Sequence, residues 1–153
     1  MISGSGDMKL ADVFEEVYNK FKLYFYRRVF EEWKDRETSL TTVETFCMEI
    51  IYSMGSPTVN EFARAANISS PNATYKVNNL IKKGYLRKVR SETDKREYHL
   101  EVTDKYVDYY SISHNYVEKV VNRVEERFSR EELDVFKKIF TVMADELMPE
   151  SDL

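Results

Sequence analysis

The stretch Thr58–Thr103, TVNEFARAANISSPNATYKVNNLIKKGYLRKVRSETDKREYHLEVT, decides the fold. Thr58-Val59-Asn60-Glu61 has the form of a capping box, in which the Thr hydroxyl takes an early helix N–H and the Glu reaches back to the cap's own N–H. Val59, Phe62, Ala63 and Ala66 follow on one helical face. Asn67-Ile68-Ser69 then reads as a tight turn. Asn tolerates the left-handed backbone such a turn needs, Ile68 fills the angle between two helices, and Ser69 caps the second. Pro71 falls in a first turn, where its missing N–H costs no hydrogen bond. The second helix buries Ala73, Val77, Leu80 and Ile81 and stops at Gly84. Residues 85–102 form a hairpin whose tip is Ser91–Lys95. In its second strand Tyr98, Leu100 and Val102 alternate with Glu97, His99 and Glu101, the pattern of a half-buried strand. Its first strand alternates less cleanly and is expected to be short or bulged, because Leu86 and Val89 are three apart. The whole is a helix-turn-helix with a β-wing.

The chemistry of the second helix follows from its outer side. Opposite the apolar stripe stand Asn72, Tyr75, Asn79 and Lys82, flanked by Lys76 and Lys83. Amides bond adenine edges bidentately, and Lys reaches guanine or phosphate. From Arg64 to Arg96 nine basic residues meet two acids, Glu92 and Asp94, whereas the whole chain has 23 Lys and Arg against 27 Asp and Glu. One basic module on an acidic body has the form of a phosphate-binding footprint.

These residues carry a resemblance. The Ala63-x-x-Ala66-Asn67-Ile68-Ser69 turn, the Leu80-x-x-x-Gly84-Tyr85-Leu86 exit, and the wing signature Asp94-x-Arg96 followed by Leu100-x-Val102-Thr103 resemble the winged helix-turn-helix of the MarR family of bacterial transcriptional regulators. Asn67 stands where that family usually has Gly, and Tyr75 where many members carry Arg. The resemblance implies a dimeric regulator of double-stranded DNA, in which first, fifth and sixth helices of two chains intertwine. It also implies a small aromatic or carboxylate ligand between the dimer region and the DNA-binding lobes.

Outward from this module the chain reads as helix. Met8 to about Trp33 is one long amphipathic helix with Leu10, Val13, Phe14, Val17, Phe21, Tyr24 and Phe25 on a stripe. Tyr18, Tyr26, Val29 and Trp33 fall off that stripe, so the helix calls for burial on more than one side. After a charged connection, Thr41-Thr42-Val43-Glu44 caps a helix that places Val43, Phe46, Cys47, Ile50, Ile51 and Met54 on one face. Thr103 is expected to cap the fifth helix and Ser129-Arg130-Glu131-Glu132 the sixth, where Leu133, Phe136, Phe140, Met143 and Leu147 repeat at coiled-coil spacing. The expected organisation is a single mainly α domain over 1–153 with a small β-wing. Dimerisation helices take 7–36 and 104–148, and the DNA-binding lobe 40–103.

Composition narrows the function. One cysteine leaves no disulfide framework and, with no basic-then-apolar leader, fits the cytoplasm. No apolar run reaches the length of a membrane span. The two histidines, His99 and His114, are remote from each other and from Cys47 in sequence, so neither a metal site nor a cofactor is expected. No HExxH, GxSxG or phosphate loop is present, and no catalytic residue is assigned. Cys47 lies in the apolar stripe of its helix, is expected to lack a cationic neighbour, and reads as core.

Roles within the module follow from helix-turn-helix docking, where the N-terminal part of the second helix meets base edges. Base readout is expected from Asn72, Tyr75, Lys76 and Asn79. Phosphate positioning is expected from Arg64, Ser69, Ser70, Lys82 and Lys83, with Thr74 and Arg90 completing the set. Lys95 or Arg96 enters a minor groove, and Asp94 orients Arg96 instead of touching DNA. Tyr24, Tyr26, Tyr109 and Tyr110 line either a subunit interface or a ligand space. The reading is a repressor on a roughly palindromic operator. The alternative is a winged-helix protein-interaction module that reads no sequence.

Overall fold

The computed structural model describes residues 8–32 and 39–153. Six α-helices and one hairpin follow in order: α1 (Leu10–Glu32), α2 (Thr42–Ser53), α3 (Val59–Ala65), α4 (Ser70–Lys82), β1 (Leu86–Arg90), β2 (Tyr98–Val102), α5 (Asp104–Arg127) and α6 (Arg130–Glu146). A 3-10 turn at Pro149–Ser151 follows α6. Trp33 and most of the charged connection fall outside the described residues.

Local chemistry sets the helix starts. Thr41 with Glu44, Thr58 with Glu61 and Ser129 with Glu132 each form a complete capping box. The Ser69 hydroxyl accepts the Asn72 N–H at 3.3 Å and opens α4. Thr103 stands at the N-cap of α5 but makes no side-chain cap. Its hydroxyl donates instead to the carbonyl of Gly84, the residue after the C-cap of α4. Asn67 takes a φ of 54° and Gly84 a φ of 85°, the left-handed backbone that the inter-helix turn and the helix stop require.

The core joins every element of the winged lobe. Met48 and Ile51 of α2, Phe62 of α3, and Ala73, Val77 and Leu80 of α4 close on Tyr85, Leu86 and Leu100 of the hairpin. Tyr106 and Tyr109 extend this core into α5. The stripe expected on α2 is rotated. Met48 is fully buried while Val43 and Phe46 are half exposed, because the core reaches α2 on its Cys47–Met48–Ile51 side. Cys47 is buried, as expected, and burial pushes its thiol up, although Lys76 pulls in the opposite sense.

The hairpin is an unbroken antiparallel ladder from Leu86↔Val102 to Arg90↔Tyr98, so β1 carries no bulge. Alternation puts Leu86 and Val89 on opposite faces, which explains their odd spacing. Tyr98 departs from the expected pattern. It lies at the distal end of the ladder, beyond the helical layer, and is half exposed. On its outer edge β2 is closed by the chain before α3: the Leu100 N–H donates to the Pro57 carbonyl at 2.7 Å, and Thr58 bridges to His99. The His99 Nδ1 lies 2.9 Å from the Ser56 carbonyl and adds a side-chain tie to the same joint.

At the other end of the molecule α1 packs along α5. Tyr24 stacks on Tyr116 with centroids 3.7 Å apart, and Phe25 meets Tyr109 edge-on at 5.5 Å. Phe14 reaches Phe140 of α6 at 6.4 Å. No residue of α6 is buried. No helix among the described residues is long and apolar enough to cross a membrane.

Candidate nucleic-acid interface

The surface is built by α4 and the wing together. Burial of Ala73, Val77 and Leu80 fixes the rotation of α4 and turns Tyr75, 67% exposed, straight outward. Asn72, Asn78 and Lys82 are exposed beside it, while Lys76 and Asn79 are half-buried on one flank. Helical arithmetic from Tyr75 gives Asn78 and Lys82 as its neighbours at i+3 and i+7. Asn78 therefore joins the outer face, a residue to which the sequence reading gives no role.

On the opposite flank Thr74 and Ser70 face a groove of about 730 Å³ between α3, the start of α4 and the wing. Arg64, Lys88 and Arg96 bring three cations to it; Asn60 and Tyr98 also line it. Two carboxylates are present as well, Glu61 and Glu97. The Glu61 carboxylate accepts the Thr58 N–H at 2.9 Å and is held in its capping box. Lys88, Asn60 and Tyr98 had no assigned role in the sequence reading. The register carries the signal for two of them: Lys88 and Tyr98 share the sheet face of Leu100, so they continue the inner side of the hairpin past the core.

The wing tip is ordered by its own side chains. The Asp94 carboxylate accepts the backbone N–H of Arg96 at 3.0 Å, and the Ser91 hydroxyl accepts the N–H groups of Thr93 and Asp94. Asp94 thus shapes the turn and orients Arg96 through its backbone N–H. Arg90 also departs from a free phosphate ligand, since its Nε donates to the Lys95 carbonyl at 2.7 Å and braces the loop. Lys95 and Arg96 are exposed at the tip.

Two expectations are corrected. Lys83, expected on the phosphates, is turned inward, with its Nζ 2.6 Å from Glu44 Oε2 and 2.9 Å from the Ser39 carbonyl. Lys82 alone of that pair remains exposed. Tyr109, expected to line an interface or a ligand space, is a core residue 4% exposed, within hydrogen-bond distance of the Thr45 hydroxyl at 3.3 Å. Tyr110 is half-buried against Tyr52 at 4.6 Å, Tyr24 lies on Tyr116, and Tyr26 is half exposed beside Phe25.

Comparison with known proteins bears on this surface. Residues 40–98 match the MarR family. Over 93 residues the chain is 30% identical to transcriptional regulator AdcR of Streptococcus pyogenes serotype M6, a match covering 59% of this chain and 63% of AdcR. The aligned region thus spans under two thirds of that relative. In fold, the chain is similar to transcriptional regulator Tm0710 of Thermotoga maritima, with a TM-score of 0.64 at 20% identity over 90% of this chain and 95% of the other. It is also similar to FabT of Streptococcus pneumoniae, solved in complex with DNA, with a TM-score of 0.59 at 22% identity over 91% and 97% of the two chains. Residues 40–98, most of the winged lobe, thus carry the sequence pattern of the MarR family, and the chain as a whole is similar in fold to these regulators.

Proposed function

We propose that this chain is a dimeric, sequence-specific DNA-binding regulator that represses from a roughly palindromic operator. One observation carries the reading. The outer face of α4, centred on Tyr75, presents amides, a phenol and ammoniums with no carboxylate, beside a groove lined by Arg64, Lys88 and Arg96. The match to AdcR and the likeness to FabT, which was solved on DNA, support it. A protein-interaction module has no need of that composition.

In this reading Asn72, Tyr75, Lys76, Asn78 and Asn79 meet base edges in a major groove. Ser69, Ser70, Arg64, Thr74, Lys82 and Lys88 hold the backbone, and Lys95 and Arg96 approach the adjacent minor groove. Removing a base contact costs about 1–3 kcal/mol at one base position. Asn79→Ala is therefore expected to relax preference at one base pair per half-site. Lys82→Ala is expected to keep the preference and lower the salt slope by about one unit. Binding over a randomised duplex library at two salt concentrations reads both effects. An Asn79→Ala profile parallel to wild type at every position would refute its assignment.

The dimer rests on uncovered apolar surface. Leu10 and Phe30 of α1 are 86% and 81% exposed, and Val121, Phe136, Ile139 and Phe140 are about half exposed on α5 and α6. Between α5 and α6 runs a groove of about 670 Å³ lined by Val121, Val124, Leu133, Phe136 and Phe140. Such a surface fits an obligate interface of more than about 2,000 Å². Sedimentation at micromolar concentration is expected to give twice 18.2 kDa, and a monomer there would sink the dimer. Tyr24 and Tyr26 fit this interface better than a ligand space, because Tyr24 already stacks on Tyr116 and Tyr26 stands on the uncovered side.

A further inference from the structure

Lys83 and Glu44 form an ion pair withdrawn from solvent, with side chains 21% and 12% exposed. The same Glu44 oxygen that takes the Lys83 ammonium at 2.6 Å accepts the Thr41 N–H at 2.9 Å, so one carboxylate both starts α2 and grips the end of α4. Lys83 also donates to the carbonyl of Ser39, in the segment that leads from α1 to α2. From the other side Lys105, in the first turn of α5, donates to the Lys83 carbonyl at 2.8 Å. Its ammonium lies 4.4 Å over the Tyr85 ring. Burial pushes the Glu44 carboxyl up, but its bonds from Lys83 and Thr41 outweigh that and hold it below the usual carboxylate range. Lys83 is the C-cap of α4. The chain leaving α1 and the start of α5 therefore meet at the last residue of the helix that faces outward with Tyr75.

We infer that Glu44, Lys83 and Lys105 are positioning residues, a strut that sets the tilt of α4 against α2 and α5 and so the half-site spacing the dimer accepts. The inference rests on the dimeric DNA-binding reading above. Its lever is geometric. The 13 residues of α4 span about 20 Å at 1.5 Å each. A tilt of about 10° at the anchored end moves the other end by roughly 3.4 Å, the rise of one base pair. With its ammonium held by a carboxylate and a carbonyl, Lys83 acts on DNA through the helix it anchors.

The test uses the full chain and a duplex that the wild-type protein selects from a random-sequence pool. The two half-sites of that duplex are then moved together or apart by one and two base pairs. Wild type is expected to lose about tenfold or more per step, as two rigid reading heads require. Lys83→Met is expected to bind the selected duplex with unchanged base preference and salt slope, while its spacing discrimination shrinks to about two- to threefold. Lys83→Arg restores the discrimination. Glu44→Gln keeps an oxygen for Thr41 and reads the same effect should Lys83→Met fail to fold; the double variant is expected to be no worse than either single change. Folded Lys83→Met or Glu44→Gln protein with wild-type spacing discrimination overturns the strut, as does a Lys83→Met protein whose sole change is a lower salt slope. A wild type that selects no duplex, or that ignores spacing, overturns the DNA-binding or the dimer reading instead.

Discussion

Replacing Arg64, Lys88 and Arg96 together by Ala is expected to weaken duplex binding at about 0.1 M salt by two to three orders of magnitude. The slope of log affinity against log salt should fall by about three units, since each neutralised phosphate contributes about 0.9. All three cations line one groove, between α3, the start of α4 and the wing. Of the carboxylates there, Glu61 is held by the Thr58 N–H. The loss should be nearly uniform across sequences, because backbone contacts carry no base information. Arg87 is the internal control. It lies on the other face of the hairpin, paired with Glu101 at 2.6 Å, and Arg87→Ala should leave the slope alone. A triple variant with an unchanged slope would mean that this groove does not hold the DNA backbone.

The second large effect is on stability at high pH. Burial lifts the Tyr85 phenol from its ordinary 10.0 to about 12, and burial likewise raises Tyr106 and Tyr109. The unfolded chain releases these protons near pH 10, whereas the native chain keeps them. A group whose folded pKa is raised stabilises fully below its unfolded pKa and loses that contribution as pH climbs toward the folded value. For Tyr85 alone the loss between about pH 10 and 12 is roughly 3 kcal/mol, at 1.36 kcal/mol per unit. That is a large share of the 5–15 kcal/mol typical of a domain. Urea midpoints should drop steeply above pH 10, and Tyr85→Phe should flatten the fall. Native protein in which all 11 tyrosines ionise together near pH 10 would contradict this.

What was legible in the sequence was local. Three capping boxes, the Ser69 cap, the left-handed Asn67 and the Gly84 stop all depend on residues within a few positions of one another, and all are present. What was not legible depended on distant partners. Lys83 finds Glu44 across 39 residues, and nothing in KKG tells which of two adjacent lysines turns inward. Thr103 gives its hydroxyl to a carbonyl 19 residues back. The α2 stripe was misplaced because apolar residues occupy more of that helix than its own lobe covers, leaving Val43 and Phe46 outside. In the candidate interface, Tyr75 and the wing tip could be read from periodicity. Lys88 needs the hairpin register, and Asn60 could not be read at all, since its groove exists only once α3, α4 and the hairpin are docked.

The hairpin's two rims differ, and the difference bears on solubility. A strand with an unpaired rim is a template for another chain's strand, and native proteins defend it with charge. The rim of β2 is occupied by Pro57 and Thr58. That of β1 has no strand beside it among the described residues, and it carries Arg87, Lys88 and Arg90 in five positions. Three positive charges along so short a segment repel a second copy of themselves. Of these three only Lys88 is assigned to DNA, and there its charge has a second use, opposing edge-to-edge growth of the free protein. Variants that strip them need Gln or Ser in their place, or a check on aggregation, before a loss of binding is read as a lost contact.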